Sequence, residues 1–170
     1  GDDTSKPNWP FREIDFEDSR WGNPNSPTNS QAVVQPYFTP GALEAFALPD
    51  LSAHADLTRF FHWSPGRVEF FTLLGHFQPD NFPPSAIIDH TVIQDNPVTG
   101  LKVPEPGREN FRFNLWLNDN AGPLSGQPQE VVISDFQFAP YWEGDFDFNG
   151  RVDAFDFLKW QQDPSIGSLA

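Results

Sequence analysis

The sequence predicts an all-β fold with a short helical appendage. Three observations carry that expectation. Several runs of four to eight β-prone residues are separated by turn residues, and Pro (18) and Gly (12) are frequent enough to punctuate the whole chain. A single segment, residues 153–162, has a convincing helical pattern. At 170 residues, the chain has room for one moderate domain and an appendage.

The first predicted strand spans 11–17 and contains Glu13-Ile14-Asp15-Phe16-Glu17. Side chains alternate across a strand, so Glu13, Asp15 and Glu17 share one face and Ile14 and Phe16 the other. Three carboxylates in a row repel one another. They are costly unless that face meets water, a cation or a substrate. Acidic residues on the wet face of an amphipathic strand are ordinary, and the pentapeptide alone favours that reading. Cleavage of a glycosidic bond uses such a row, with one carboxyl kept protonated for the leaving oxygen and another ionised. On a flat strand, residues four apart are separated by roughly 13 Å. A retaining pair stands about 5–5.5 Å apart, so a concave sheet and leaning side chains would have to close the gap.

Residues 21–30 are rich in Asn, Pro and Ser and read as a loop. A second strand is expected over 31–38 (QAVVQPYF), with Pro36 marking an edge or bulge. A short strand is expected over 43–48. Residues 57–63 and 67–74 form the clearest hairpin, joined through Ser64-Pro65-Gly66. Another strand is predicted over 86–94, then a Pro- and Gly-containing loop over 95–108. Residues 110–117 (NFRFNLWL) alternate strictly, with Phe111, Phe113, Leu115 and Leu117 on one side. Residues 130–138 (EVVISDFQF) complete the β-rich part. The composition changes at a hinge over 141–144, dividing a domain of residues 1–140 from a segment of 141–170.

A formal net charge of −14 argues against nucleic acid and against an anionic membrane surface. A neutral polysaccharide or a divalent cation is compatible with it. The absence of Cys excludes disulfides, thiolate metal sites and a Cys nucleophile, and leaves the redox compartment open. Phe (18) and Trp (6) far outnumber Tyr (2). Much of that aromatic content is expected in the core, and Trp faces also stack on sugar rings. No apolar run reaches membrane-spanning length. A start at Gly-Asp-Asp without Met reads as a processed product or an excerpt. His54, His62, His76 and His90 form no metal-like pair in sequence.

The stretch 145–156 has the spacing of a calcium loop. Asp145, Asp147, Asn149, Asp153 and Asp156 fall at positions 1, 3, 5, 9 and 12, with Gly150 at position 6 for the sharp turn. Arg151, at position 7, would give its backbone carbonyl. The alternative is an Asx-rich turn capping the helix. Position 12 is Asp rather than Glu, and no helix precedes the loop. In both respects, and in the continuation Phe157-Leu158-Lys159-Trp160-Gln161, the segment resembles a type I dockerin repeat. The resemblance implies structural Ca²⁺ and a cohesin-like protein partner. A dockerin carries two such repeats, and one is present here.

The EIDFE strand, the hairpin FHWSPGRVEFF, the strand NFRFNLW and the ending ISDFQFAP occur in that order. Together they resemble glycoside hydrolase family 16, the group of lichenases, laminarinases and their relatives. The resemblance covers about residues 7–140. It implies a jelly-roll (concanavalin A-like) sandwich and retaining endo-β-glycanase activity without a catalytic cofactor. It makes Glu13 the nucleophile, Asp15 its tuning partner and Glu17 the general acid/base. The missing inserted residue tilts the reading toward lichenases and 1,4-linked β-glucan. Trp9 and Trp116 match cleft-lining positions, and Gln35, Tyr37 and Asn114 are candidates for bonding sugar hydroxyls. The resemblance also implies a bacterial protein, secreted or at the cell surface, whose export signal lies outside this chain. In that family, about half the domain precedes the carboxylate strand. The sandwich is therefore expected to be incomplete at its N-terminus, either completed by another segment or reduced. A non-catalytic carbohydrate-binding or cell-surface assembly module on the same fold is the alternative function.

Overall fold

The computed structural model describes residues 13–51, 56–79, 81–106, 110–115, 117, 122–123, 126–138, 144–146 and 151–162. The chain divides into two compact units, Gly1–Pro128 and Gln129–Ala170.

Among the described residues, the first unit holds two antiparallel three-stranded sheets, so the all-β expectation holds. The first sheet has the order β1 (Ile14–Glu17), β2 (Ser30–Val34), β3 (Leu43–Phe46). Ile14 stands opposite Val34 and Phe16 opposite Ala32, which gives this sheet one apolar face. On the other face, Asp15 stands opposite Val33 and Glu17 opposite Gln31. The expected strand over 31–38 stops at Val34. Pro36 has no N–H to continue a ladder, and the chain turns instead, with Thr39 N donating to Pro36 O and Ala42 N to Thr39 O. Gly41, at φ 89°, completes that turn in the left-handed region. Tyr37 and Phe38 are left exposed on the turn.

The second sheet has the order β4 (Leu57–Ser64), β5 (Arg67–Leu74), β6 (Ile87–Gln94). The predicted hairpin forms with Ser64 opposite Arg67. Its two-residue link is Pro65, which fixes its own φ, and Gly66 at φ 72°. A short 3₁₀ turn, Pro84–Ala86, delays the third strand to Ile87, and the ladder shifts register at Thr72/Leu73. Beyond β6 the chain folds back. The Asp95 carboxylate accepts from Val103 N, and Trp63 Nε1 donates to Pro104 O at 2.6 Å.

The apolar faces of the two sheets meet in one core. Ala32, Val34, Ala42, Val68, Phe70, Ile93, Leu101 and Val103 are buried, and Ile14, Phe16, Phe61 and Trp63 pack against them. Phe16 meets Phe70 edge-on, with ring centroids 5.2 Å apart. Burying a side chain the size of Phe70 contributes about 1.5–3 kcal/mol, and its loss to Ala costs about 3–5 kcal/mol with the cavity left behind. A polar tie supplements this core. Arg59, on the inner face of β4, donates to both Asp18 carboxylate oxygens at 2.8 Å and to Ser30 Oγ at 3.0 Å. Its guanidinium carbon stands 5.3 Å from the centroid of the Phe16 ring. Ser30, buried, completes the triangle by donating to Asp18. On the outer face of the second sheet, Phe60, Phe71 and His90 stack across the three strands.

Two predicted strands are corrected. The described residues of 110–117 and of 130–138 belong to neither sheet. Phe111, Phe113, Leu115 and Leu117 are all exposed, as are Val131, Val132, Ile133, Phe136 and Phe138. Alternation records a preference for an extended backbone with one apolar face. A strand forms only where a neighbouring ladder accepts it.

In the second unit, α1 (Ala154–Gln162) begins one residue after the predicted start. Asp153 Oδ1 accepts from Phe155 N at 2.8 Å, and Asp156 Oδ2 accepts from Asp153 N at 2.6 Å. This reciprocal pair satisfies two backbone donors at the helix start.

Candidate active site

β1 positions the carboxylate row. Ile14 and Phe16 are drawn into the core, and the strand period then sends Asp15 and Glu17 to the opposite face. Glu13 continues the row. Its carbonyl accepts from Gln35 N, which extends the β1–β2 ladder by one residue. Gln31 and Val33 of β2, and Gln35 just beyond its end, lie on the same face as the carboxylates. Gln31 Nε2 donates to Glu17 Oε2. Gln35 Nε2 reaches Asp15 Oδ2 at 3.4 Å, while Gln35 Oε1 accepts from Tyr37 N at 3.0 Å.

This row is electrostatically loaded. Burial pushes Asp15 up to about 6, and the charges of Glu13 and Glu17 add to the effect, against the weak donation from Gln35. Fully buried Val33, directly opposite, offers Asp15 an aliphatic neighbour in place of water. Glu17 is also raised above the ordinary carboxylate range. Burial is again the main cause, with Glu13 a smaller one, and the Gln31 bond opposes both. Glu17 thus moves in the direction expected of a proton donor, but by desolvation more than by its neighbours' field.

Of the predicted sugar-contacting residues, Gln35 joins the row. Tyr37 lies nearby in sequence but on the exposed turn, its ring edge-on to Phe38 at 5.6 Å. Asn114 is exposed on a segment outside both sheets and is not brought to the row by either of them. Trp9 and Trp116 lie outside the described residues. Gln31 is the residue that sequence reasoning missed. Its signal was present in QAVVQ, where a step of two from Gln35 through Val33 leads to it.

In the acidic segment, Asp147 and Asn149 lie outside the described residues. Asp145 and Asp156 are 3% and 2% exposed, Arg151 and Asp153 exposed. The alternative role of helix capping is realised by Asp153 and Asp156. Among the described residues no group of three or more His, Asp or Glu forms a metal cluster. Asp156 already accepts from Asp153 N, and the donor set read from the sequence is all oxygen, the kind a hard cation takes.

No protein-family model, curated protein or solved structure matches the chain.

Proposed function

We propose that this chain is part of a retaining endo-β-glycanase of the family 16 type, acting on β-glucan or a related polysaccharide. One observation carries the reading: Glu13, Asp15 and Glu17 form one row facing away from the core, in which Glu17 and Asp15 both hold protons more tightly than ordinary carboxylates. Two facing sheets support a jelly-roll sandwich as the fold.

In this mechanism Glu17, protonated, donates to the glycosidic oxygen as the bond breaks. Glu13, ionised, attacks the anomeric carbon and forms a glycosyl-enzyme. Glu17, now a base, takes a proton from the water that releases the sugar. Gln31 holds the Glu17 carboxyl in place, and Gln35 does the same for Asp15. Asp15 lies between the two catalytic groups. Its proton affinity limits the negative charge that Glu13 and Glu17 must tolerate.

The proposal extends to the acidic segment as a structural Ca²⁺ site of dockerin type. Asp145, Asp147, Asn149, Asp153 and Asp156 would hold the ion with the Arg151 carbonyl, and a cohesin-like protein is its proposed partner. A secreted or cell-surface location accompanies that reading.

The test is hydrolysis of mixed-linkage β-glucan by the chain, followed as released reducing ends. Glu13→Gln is expected to abolish turnover while leaving the melting curve in place. Turnover that survives Glu13→Gln, or no turnover of any β-glucan by the unsubstituted chain, overturns the assignment.

A further inference from the structure

β6 is an open edge: among the described residues no strand lies beyond it in the second sheet. The ladder on its other side fixes which backbone groups turn outward. Asp95 N donates to Gly66 O at 2.8 Å, and bonded and unbonded pairs alternate along an antiparallel ladder. Asp89, Thr91 and Ile93 therefore bond toward β5. His90, Val92 and Gln94 turn their N–H and C=O groups to the open side.

Sheet edges are ordinarily guarded by shortness, charge or Pro. The other edges of the two sheets are guarded or covered. β1 and β3 are four residues long, and β1 carries Asp15 and Glu17. All eight residues of β4 are half-buried. β6 also has eight residues, without Pro, Gly or Lys, and its Ile87, His90, Val92 and Gln94 are exposed. Its one irregularity, the shift at Thr72/Leu73, lies near its start.

The outer face of the sheet shows what this edge fits. Phe60 stands opposite Phe71, and Phe71 opposite His90. Their rings stack, first at 4.7 Å and 15°, then at 4.3 Å and 11°. The stack runs straight across the strands and ends at His90, on the open edge. Charge there is paired within the sheet. His90 Nε2 meets Glu69 Oε1 at 2.6 Å, and Glu69 Oε2 accepts from Arg67 at 2.6 Å. The edge thus approaches a neighbour without unpaired charge, in a chain of net charge −14.

A second copy of β6, antiparallel across a two-fold axis, meets these constraints together. Bonding across the axis needs outward-turned residues on both copies, so even-numbered residues pair with even-numbered ones. The registers of longest overlap centre on His90 or on Thr91. Centred on His90, the second copy supplies its own His90 where the next ring of the stack belongs. Val92 then falls opposite Ile88, and Asp89 opposite Thr91. Thr91 Oγ1 donates to Asp89 Oδ2 within each chain at 3.0 Å, so two polar pairs stand side by side. Centred on Thr91, the register sets the half-buried Asp89 carboxyl against Ile93, which is costly.

We infer that β6 is a self-association edge, through which two copies of this chain join their second sheets into one continuous sheet about a two-fold axis at His90. The carboxylate row lies on the first sheet, so the inference does not rest on the glycanase reading.

The experiment uses the full chain at pH 8, where ordinary imidazoles are uncharged, in about 0.15 M salt, which screens repulsion between copies beyond roughly 8 Å. Sedimentation equilibrium is expected to show monomer and dimer in exchange. Val92→Lys, at an exposed position, is expected to weaken the dimer at least tenfold and leave the circular dichroism unchanged. A chain that stays monomeric at millimolar concentration, grows beyond a dimer, or dimerises equally with Val92→Lys overturns the inference. Single cysteines test the register, since the chain has none of its own. A bonded antiparallel pair sets its Cα atoms about 5.5 Å apart, within disulfide reach. His90→Cys is therefore expected to give a disulfide-linked dimer under mild oxidation. Val92→Cys, displaced from its counterpart by four residues or roughly 13 Å, is expected to give far less. Equal crosslinking at the two positions, or more at 92, refutes the axis at His90.

Discussion

Asp15→Asn is expected to make the protein more stable, and to do so only where the native residue is charged. The native side chain sits at about 6 against 3.8 for an unconstrained aspartate. Its proton is bound more tightly in the folded state than in the unfolded one. The resulting stabilisation is therefore complete below about pH 4 and is lost as pH rises through about 6. At 1.36 kcal/mol per pH unit, the ionised group costs the fold up to about 3 kcal/mol at pH 8. Asn cannot ionise, and its carbonyl can still accept from Gln35. The variant should exceed the native chain by roughly 1–3 kcal/mol at pH 8, a rise of about 2–12 °C in melting temperature for a chain of this size. Near pH 4 the two should converge. Urea unfolding followed by circular dichroism between pH 4 and pH 8 measures this directly. Burial outranks the Glu13 charge as the cause, so 1 M salt should remove only a minor part of the difference. A gap that does not change with pH, or a variant less stable at pH 8, would refute the reasoning.

Three other outcomes follow from the same residues. Gln31→Ala removes the donor that lowers Glu17, so Glu17 should rise further; because a general acid works only when protonated, the alkaline limb of the activity profile should move to higher pH, and a limb that stays or falls contradicts the assignment. Arg59→Ala leaves Asp18 half exposed rather than sealed in, and should cost about 2 kcal/mol in denaturant unfolding, above the sub-kilocalorie worth of a surface pair. Addition of Ca²⁺ should raise the melting temperature, chelator should reverse the gain, and Asp145→Ala should abolish it; a melting curve indifferent to the ion removes the calcium proposal.

The parts of this fold that were legible in the sequence are those decided locally. The hairpin of β4 and β5 follows from two β-prone runs and Pro65-Gly66. The facing of β1 follows from Ile14 and Phe16 alternating with acids. The end of β2 was not read from the sequence: Pro36 suggested an edge or bulge in a strand running to residue 38, whereas the strand stops at Val34. The helix start was legible too, because an Asp at the cap and an Asp three residues later define reciprocal capping. Sheet membership was not legible. NFRFNLWL alternates as well as any strand in the protein, yet nothing in it states which edge it would join. The contact of Arg59 with Asp18 spans 41 residues and leaves no local trace. The burial that raises Asp15 comes with Val33 and Gln35, which register rather than proximity in the chain brings beside it.

Glu17 and Asp18 are adjacent in the chain and serve opposite sides of the same sheet. The first belongs to the carboxylate row, and the second is gripped from below by a side chain of the other sheet. The clamp therefore sets where the strand ends, and with it where the proposed acid stands. If the glycanase proposal holds, loosening the grip should displace Glu17 well before the protein comes apart, and turnover should report damage at the sheet junction earlier than any unfolding curve.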